Sequence, residues 1–422
     1  MRNVIQIILL VVLATIALAE WPDAGGVPVC TATGDQTMPK IVSDGHGGAY
    51  IVWSDSRGDD EDIYAQYVDA YGNILWETNG AVVCTSEGRQ YDYDMINNTY
   101  GGPVIVWASG IGNQIRGQFI SPTGLYNWDP DGYLIAAHSR TVLEPIIKDT
   151  DIINDIVVTF KFSGWSHDDP YTKKINIHGY YEWLIENDDL SNRTSKMSST
   201  SLEGHNTLIV GDWNNNIKAL KKINEDGIYL WTSDINVADP SVNRNPKIIN
   251  NGLSSVLITW EDNRRGNFDI YANTIDNLGT LGIPNGWPIC VAADSQLTPL
   301  IVSDGSGGAI IAWNDRRSGS SMNFEIYEER MDYWGNRLWN TTDTTGIPII
   351  NTTGNQKLYD MIPTDDGGAI LVWISNELLA YHVFAQRIDG DGNALWDASG
   401  VQVTTGTFEE LPVICSPIVL TV

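Results

Sequence analysis

The sequence predicts an all-β fold, a β-propeller of four-stranded blades, on three observations. A repeat of roughly 50 residues recurs along the chain. Each copy divides into four short strands separated by turn residues. The composition agrees: 16 Trp, 18 Tyr and 40 Gly among 422 residues suit a hairpin-rich protein with aromatic cores.

The repeat is clearest where the tryptophans are aligned. Pro39 to Trp53 (PKIVSDGHGGAYIVW) returns as Pro299 to Trp313 (PLIVSDGSGGAIIAW). A third copy ends Asp365 to Trp373 (DDGGAILVW), and in a fourth Gly101-Gly102 leads into Val104 to Trp107. Weaker copies end at Phe160, Gly211 and Trp260, so successive copies stand 54, 53, 51, 49, 53 and 60 residues apart. A steady period of this length marks units that bury their faces only against neighbouring units.

Within a unit, the first strand is short and apolar and follows a proline, as in Pro39 to Val42. A Gly-rich turn comes next, then a continuous apolar strand, Ala49 to Trp53, of the kind covered on both faces. The third strand is Asp62 to Val68 (DIYAQYV), echoed by Asp269 to Asn273 and His382 to Arg387. The fourth contains Leu75-Trp76 and ends near Val82-Val83, echoed by Leu338-Trp339 and Leu395-Trp396. Four strands per repeat, carried round a ring, give a propeller. An open array of β-sandwich modules is the alternative, but those need units of about 100 residues.

Seven complete repeats make seven blades the first expectation, with eight as the alternative. Trp21 to Cys30 reads as a fourth strand and Leu411 to Cys415 as a first strand. Their complementary phase lets them seal seven blades or complete an eighth. Upstream, Met1-Arg2-Asn3 precedes an apolar run, Val4 to Leu18, and the small-residue site Ala17-Leu18-Ala19. That pattern is a signal peptide over residues 1–19, with cleavage after Ala19. An N-terminal anchor helix is the alternative, although the run falls short of the ~20 residues a membrane span requires. Residues 20–422 are expected to form a single propeller domain, secreted or at the cell surface, and monomeric.

The formal net charge of −28, from 53 acidic against 25 basic residues, repels nucleic acid and anionic membranes. The six His are scattered without metal-ligand spacing, and neither G-x-S-x-G nor H-E-x-x-H occurs. No catalytic residue, metal ligand or cofactor is therefore assigned. Asp389-Gly390-Asp391-Gly392-Asn393 imitates a calcium loop, with oxygens at alternate positions. The same place holds Asp69 to Asn73, Asp276 to Thr280 and Asp332 to Asn336, so what persists is an Asp three residues before a Gly. That is hairpin chemistry: the carboxylate bonds turn amides and the Gly takes positive φ.

Cys30, Cys84 and Cys290 share one repeat position near the end of the fourth strand. Different blades hold that position too far apart for a disulfide, which needs Cα atoms within about 7 Å. They read as small buried hydrophobes. Cys415, at the phase of Val42, leaves a Cys30–Cys415 closing staple as the alternative.

Two places are candidate ligand contacts. Trp53 to Arg57, Trp260 to Arg264 and Trp313 to Arg317 share W-x-D-x-R, which puts Asp55, Arg57, Asp262, Arg264, Asp315 and Arg317 on one rim of the ring. An arginine-lined patch on so acidic a protein suits a carboxylated sugar or an acidic peptide. The competing reading is a repeated turn, capped by the Asp, whose Arg bridges to a neighbouring carboxylate. The second place is the divergent third repeat, where Lys161 to Tyr171 (KFSGWSHDDPY) occupies the same loop. Trp165 and Tyr171 offer stacking faces and His167 offers hydrogen bonds. Drift in an unconstrained blade is the competing reading.

Proline-led first strands, D-G-x-G-G-A-x-x-x-W, W-x-D-x-R, D-I-Y-A-Q and G-N-x-L-W together resemble the repeats of secreted bacterial β-propeller proteins of uncharacterised function. The resemblance covers nearly all of the chain after Ala19 and implies an architecture rather than an activity. A looser similarity is to sialidase-type propellers with their Asp-box, S-x-D-x-G-x-x-W. Here Ser43 and Trp53 stand ten apart rather than seven, and no arginine triad can be assigned. The expected function is a non-catalytic binding module for an extracellular glycan, peptide or protein, working from one rim or the central channel. A carbohydrate-active enzyme, hydrolase or lyase, with its site at the channel mouth is the alternative. A structural cell-surface protein is the third reading.

Overall fold

A computed structural model describes residues 29–402 apart from 47, 99–100, 150–154, 164–167, 177–180, 187–193, 203–205, 214–215, 232–234, 239–240, 254, 319–323, 351–353, 365 and 376–381. Blade 1 is β1 (Gln36–Ser43), β2 (Ala49–Asp55), β3 (Asp62–Val68) and β4 (Ala81–Cys84). Blade 2 is β5 (Gln90–Asn97), β6 (Pro103–Ser109), β7 (Gln114–Phe119) and β8 (Tyr133–Ala137). Blade 3 is β9 (Thr141–Asp149), β10 (Asp155–Ser163), β11 (Asp168–Asn176) and β12 (Tyr181–Glu186). Blade 4 is β13 (Thr194–Leu202), β14 (Asn206–Trp213), β15 (Asn216–Ile223) and β16 (Ile235–Asn236). Blade 5 is β17 (Asn243–Asn250), β18 (Val256–Asp262), β19 (Asp269–Ile275) and β20 (Trp287–Cys290). Blade 6 is β21 (Gln296–Ser303), β22 (Ala309–Asp315), β23 (Glu325–Met331) and β24 (Ile347–Pro348). Blade 7 is β25 (Gln356–Pro363), β26 (Ala369–Ser375), β27 (His382–Ile388) and β28 (Val401–Gln402).

Each sheet is antiparallel and runs in chain order from inner to outer strand, giving a seven-bladed propeller. All four strands of each blade come from one continuous stretch of chain. The expected terminal fragments, residues 21–28 and 411–415, lie outside the described residues, as does Cys415. Cys84 and Cys290 are buried thiols and Cys30 is a half-buried one. No helix among the described residues is long and apolar enough to cross a membrane.

The second and third strands form the buried middle of each blade. Strands β6, β18, β22 and β26 are buried at every residue, as their unbroken apolar runs require. Trp53, Trp107, Trp260, Trp313 and Trp373 on these strands are at most 3% exposed. Each indole crosses its own sheet to the turn before the outer strand, where Gly80, Gly132, Gly286, Gly346 and Gly400 all have positive φ. A Cβ on any of these glycines would stand 2.2–2.5 Å from the ring, so glycine alone permits both the backbone and the contact. The same indoles pack on the preceding blade: Trp107 meets Val83 and Cys84, and Trp313 meets Ile289 and Cys290. Truncating so buried an aromatic costs about 3–5 kcal/mol.

The turns follow the sequence expectation. Asp69 Oδ1 accepts the Tyr71 and Asn73 amides at 2.9 and 2.8 Å. Asp389 Oδ1 accepts the Asp391 and Asn393 amides at 2.9 Å each, so the calcium-like segment is the same hairpin turn. A feature the sequence did not announce lies in the first strands. Met38, Asp92, Glu144, Asn245 and Thr298 occupy one equivalent position at φ of 48–53°, where side-chain-bearing residues are uncommon. Each sits at a break in register with the second strand, a β-bulge repeated around the inner wall.

One core position breaks the pattern of the third strand. Ala65, Ala272 and Ala385 hold it in other blades, whereas blade 6 has Glu328, fully buried, with neither carboxyl oxygen hydrogen-bonded. Burial, with the neighbouring Glu329 adding to it, pushes Glu328 well above the usual carboxylate range. The folded chain thus keeps a proton that the unfolded chain releases above about pH 4.3, and stability falls as pH rises beyond that point. Glu328→Gln is expected to flatten this dependence between roughly pH 5 and 8 and to add on the order of 2 kcal/mol at the alkaline end. Thermal melts across that range would show the two profiles converging toward acid; parallel profiles would contradict the assignment.

Candidate functional site

The W-x-D-x-R residues form a pin within blades 1, 5 and 6. In blade 1, Asp55 is fully buried and takes hydrogen bonds from Trp53 Nε1 at 2.8 Å, the Arg57 amide at 2.9 Å and Arg57 Nη2 at 2.6 Å. Arg57 Nη2 also donates to the Asn79 carbonyl at 2.7 Å, and its guanidinium lies 3.8 Å over the Tyr64 ring. Blade 5 repeats the arrangement with Trp260, Asp262, Arg264, the Asn285 carbonyl and the Tyr271 ring. Blade 6 repeats it with Trp313, Asp315, Arg317, the Thr345 carbonyl and the Tyr327 ring. Arg57, Arg264 and Arg317 are thus committed to their own carboxylate, carbonyl and ring. The expected arginine-lined ligand patch is replaced by three structural clamps, because a planar guanidinium satisfies all these acceptors at once. Arg57 and Arg317 add a 3.3 Å contact to Cys30 Sγ and Cys290 Sγ, so Cys30 sits where the outer strand of a preceding blade would end.

Electrostatics within the clamp are asymmetric. Burial alone would raise the Asp55 and Asp262 carboxyls, but the Arg and Trp hydrogen bonds outweigh it and hold both below the usual range. Their cross-strand partners move the other way. Asp62 is pushed up to about 6 by burial and by Asp60 and Asp55, and Asp269 to about 6 by burial, against the pull of Arg265 and with the push of Asp262. The repetition of this pair in two blades marks it as part of the blade, not as a single acid–base site.

The third-repeat candidates divide. Trp165 and His167 lie outside the described residues. Tyr171 is not on a loop: β10 continues to Ser163 and β11 begins at Asp168, so Tyr171 pairs with Phe160 in the sheet and is buried. Its ring stacks 5.9 Å from Phe160, as Tyr64 stacks on Trp53.

A different site emerges at the channel. Because Gln36 pairs with Asp55, the first strands begin at the end of the ring where the W-x-D-x-R turns lie. There the inner strands of blades 4 to 7 enclose a cavity of about 240 Å³ lined by Lys196, Asn245, Lys247, Thr298, Leu358 and Tyr359, among others. The inner strands carry Lys40, Lys148, Lys196, Arg244, Lys247 and Lys357 against Asp92, Asp94, Glu144, Asp149 and Asp360. Six basic residues stand against five acidic ones, on a chain where acidic residues outnumber basic by 53 to 25. Lys40 pairs with Asp94 at 3.0 Å, and Lys196 with Glu144 at 3.2 Å. Lys247 has no carboxylate within salt-bridge distance among the described residues. Lys247 is exposed to the channel, yet the walls crowded around it, then Lys196 and Lys148, lower its pKa; Asp360 opposes them and Lys40 adds to them.

Sequence reading missed the residues that build this mouth, the x of W-x-D. Glu261, fully buried, accepts Arg244 Nε at 2.5 Å, Asn245 Nδ2 at 2.7 Å and the Thr298 amide of the next blade at 2.7 Å. Asn314 accepts the Leu358 amide of blade 7 at 2.8 Å and donates to Thr298 Oγ1. Lys161 pairs with Glu144 at 2.8 Å. A polar side chain beside a buried Trp was the available signal, and its changing identity disguised it.

Among solved structures, puromycin hydrolase matches at 10% identity and a TM-score of 0.52, over 93% of this chain and 57% of that one. A puromycin-hydrolyzing peptidase of Mycobacterium tuberculosis matches at 10% identity and 0.49, over 92% and 56%. An endo-arabinase of Bacteroides thetaiotaomicron VPI-5482 matches at 12% identity and 0.36, over 72% and 96%. At these identities the likeness is one of fold, and the chain spans little more than half the length of puromycin hydrolase. No family model matches the chain, and neither does any curated protein.

The clamp makes a direct prediction. Asp262→Ala leaves Trp260 Nε1 and Arg264 without their shared acceptor, which is expected to cost about 3 kcal/mol in urea unfolding. The stability that Asp262 contributes is complete above about pH 4 and is lost as pH falls through its lower folded value. The variant should therefore unfold less steeply on the acid side than the parent protein. A loss below about 0.5 kcal/mol would mean that the clamp is ornamental.

Proposed function

We propose that this protein is an exported binding propeller that takes an anionic ligand, a carboxylated sugar or an acidic peptide, at the channel mouth. The observation that carries the reading is the cavity wall, where Lys196 and Lys247 come from neighbouring blades and Lys247 has no carboxylate paired to it among the described residues. Placing ammonium groups side by side is unfavourable in itself, and an anion between them relieves the repulsion. The cavity walls exclude part of the solvent, which strengthens ammonium–carboxylate hydrogen bonds relative to the open surface. Asn245 and Tyr359 supply a neutral polar group and a ring beside the lysines, a combination suited to a sugar acid.

A carbohydrate-active enzyme at the same mouth is the second reading, favoured by the presence of Glu144 and Asp360 beside the lysine cluster. Two carboxylates are what a glycoside hydrolase requires. Titrating the protein with oligogalacturonate and with a neutral oligosaccharide of equal length tests both readings. Binding of the acidic ligand alone, weakening steeply with salt and at least tenfold in Lys247→Ala, is the expected result. Equal binding of the neutral sugar would overturn the anion-binding proposal. Release of shorter products, abolished in Asp360→Asn, would establish the enzyme instead.

A further inference from the structure

We propose a second binding site, independent of the channel: the gap between blades 2 and 3 is a tryptophan socket left partly empty, and it accepts an uncharged bicyclic aromatic ring from solution. The argument begins with the repeat. In five blades an indole from the second strand lies beside the third strand and ends on a glycine, and in blades 2, 5, 6 and 7 it shares a core cluster with the preceding blade. Blade 3 keeps the relations to the third strand and to the preceding blade with a smaller ring. Phe160 stands opposite Tyr171 as Trp53 stands opposite Tyr64, and it packs on Ile135 of the blade 2 outer strand.

The cover is also missing. In blade 1 residues 69–80 connect β3 to β4 and carry the glycine that closes over Trp53. In blade 3 β11 ends at Asn176 and β12 begins at Tyr181, so the long connection of blade 1 has no counterpart in the chain there. A shorter side chain and a shorter connection together leave a cavity of about 360 Å³. Its walls include Ile135, His138, Phe160, Phe162 and Tyr171, with Leu134 and Leu184 exposed at the edge. His138 is held against Phe162, ring centroids 4.5 Å apart, while its Nδ1 accepts the Arg140 amide.

The chemistry of these walls selects the ligand class. Walls so largely apolar suit an apolar ring, and the aromatic faces favour stacked or edge-on partners. Lys173 also lines the cavity, with its ammonium turned to the Ile135 carbonyl. The size suits one bicyclic ring, because an indole is what the equivalent place holds elsewhere in the same chain.

The full chain, titrated with 5-fluoroindole and followed by ¹⁹F NMR, tests the proposal. Saturable binding is expected in the parent protein, with affinity reduced at least tenfold in Phe160→Trp, which fills the socket from within, and with the melting temperature of that variant unchanged or raised. Should Phe160→Trp fail to fold, Ala137→Phe blocks the mouth from the blade 2 edge and is expected to give the same loss. Absence of saturable binding to the parent, or undiminished binding to the folded blocking variant, would overturn the proposal. Because the channel lysines are unaffected, acidic-oligosaccharide binding serves as the control in every variant.

Discussion

The structure depends on one interaction, the burial of a second-strand aromatic between its own sheet and the outer strand of the blade before it. That contact does two jobs that a propeller cannot separate. It gives a four-stranded sheet, too small to be stable alone, a second apolar face. It also fixes the spacing between successive blades, since a rigid indole held in a close-packed interior tolerates little displacement. The positive-φ glycine at the end of the ring follows from it as a geometric requirement, and in blades 1, 5 and 6 a buried Asp meets the ring nitrogen.

The Arg of W-x-D-x-R belongs to the same economy of charge. Burying a carboxylate to satisfy an indole N–H is unfavourable unless the charge is matched. The guanidinium matches it, caps a carbonyl before the outer strand and lies over the third-strand ring. Blade 2 shows the constraint by its absence: Ser109 replaces the Asp, Arg116 enters from the third strand to meet the Asp131 and Gly132 carbonyls, and Trp107 Nε1 is left without an acceptor. The backbone carbonyl before the outer strand retains its arginine even when the Asp is lost.

Where the aromatic contact is relaxed, the fold acquires openings. Phe160 in place of Trp opens the gap between blades 2 and 3. The channel mouth is opened differently, by bulges that turn inner-strand residues out of the ladder and by polar x residues that hold those bulges in place. Glu261 ties two blades at once, so the wall of the cavity is as firmly fixed as the clamps behind it.

The sequence by itself determined the blade: its period, its four strands, the Trp at the end of the second strand, and the Asp–Gly hairpins that mimic a calcium loop. These are local features, set by alternation, turn chemistry and a spacing that recurs, and a linear pattern records them. It also located W-x-D-x-R on one rim, but not what its arginines bind, since Tyr64 and the Asn79 carbonyl come from other strands of the sheet. Tyr171 looked like a loop residue because no turn motif in the sequence marks where β11 begins. Only the tertiary structure brought Lys40, Lys148, Lys196 and Lys247 together. They are up to about 200 residues apart in the chain, and nothing but the circular arrangement of inner strands makes neighbours of residues so far separated.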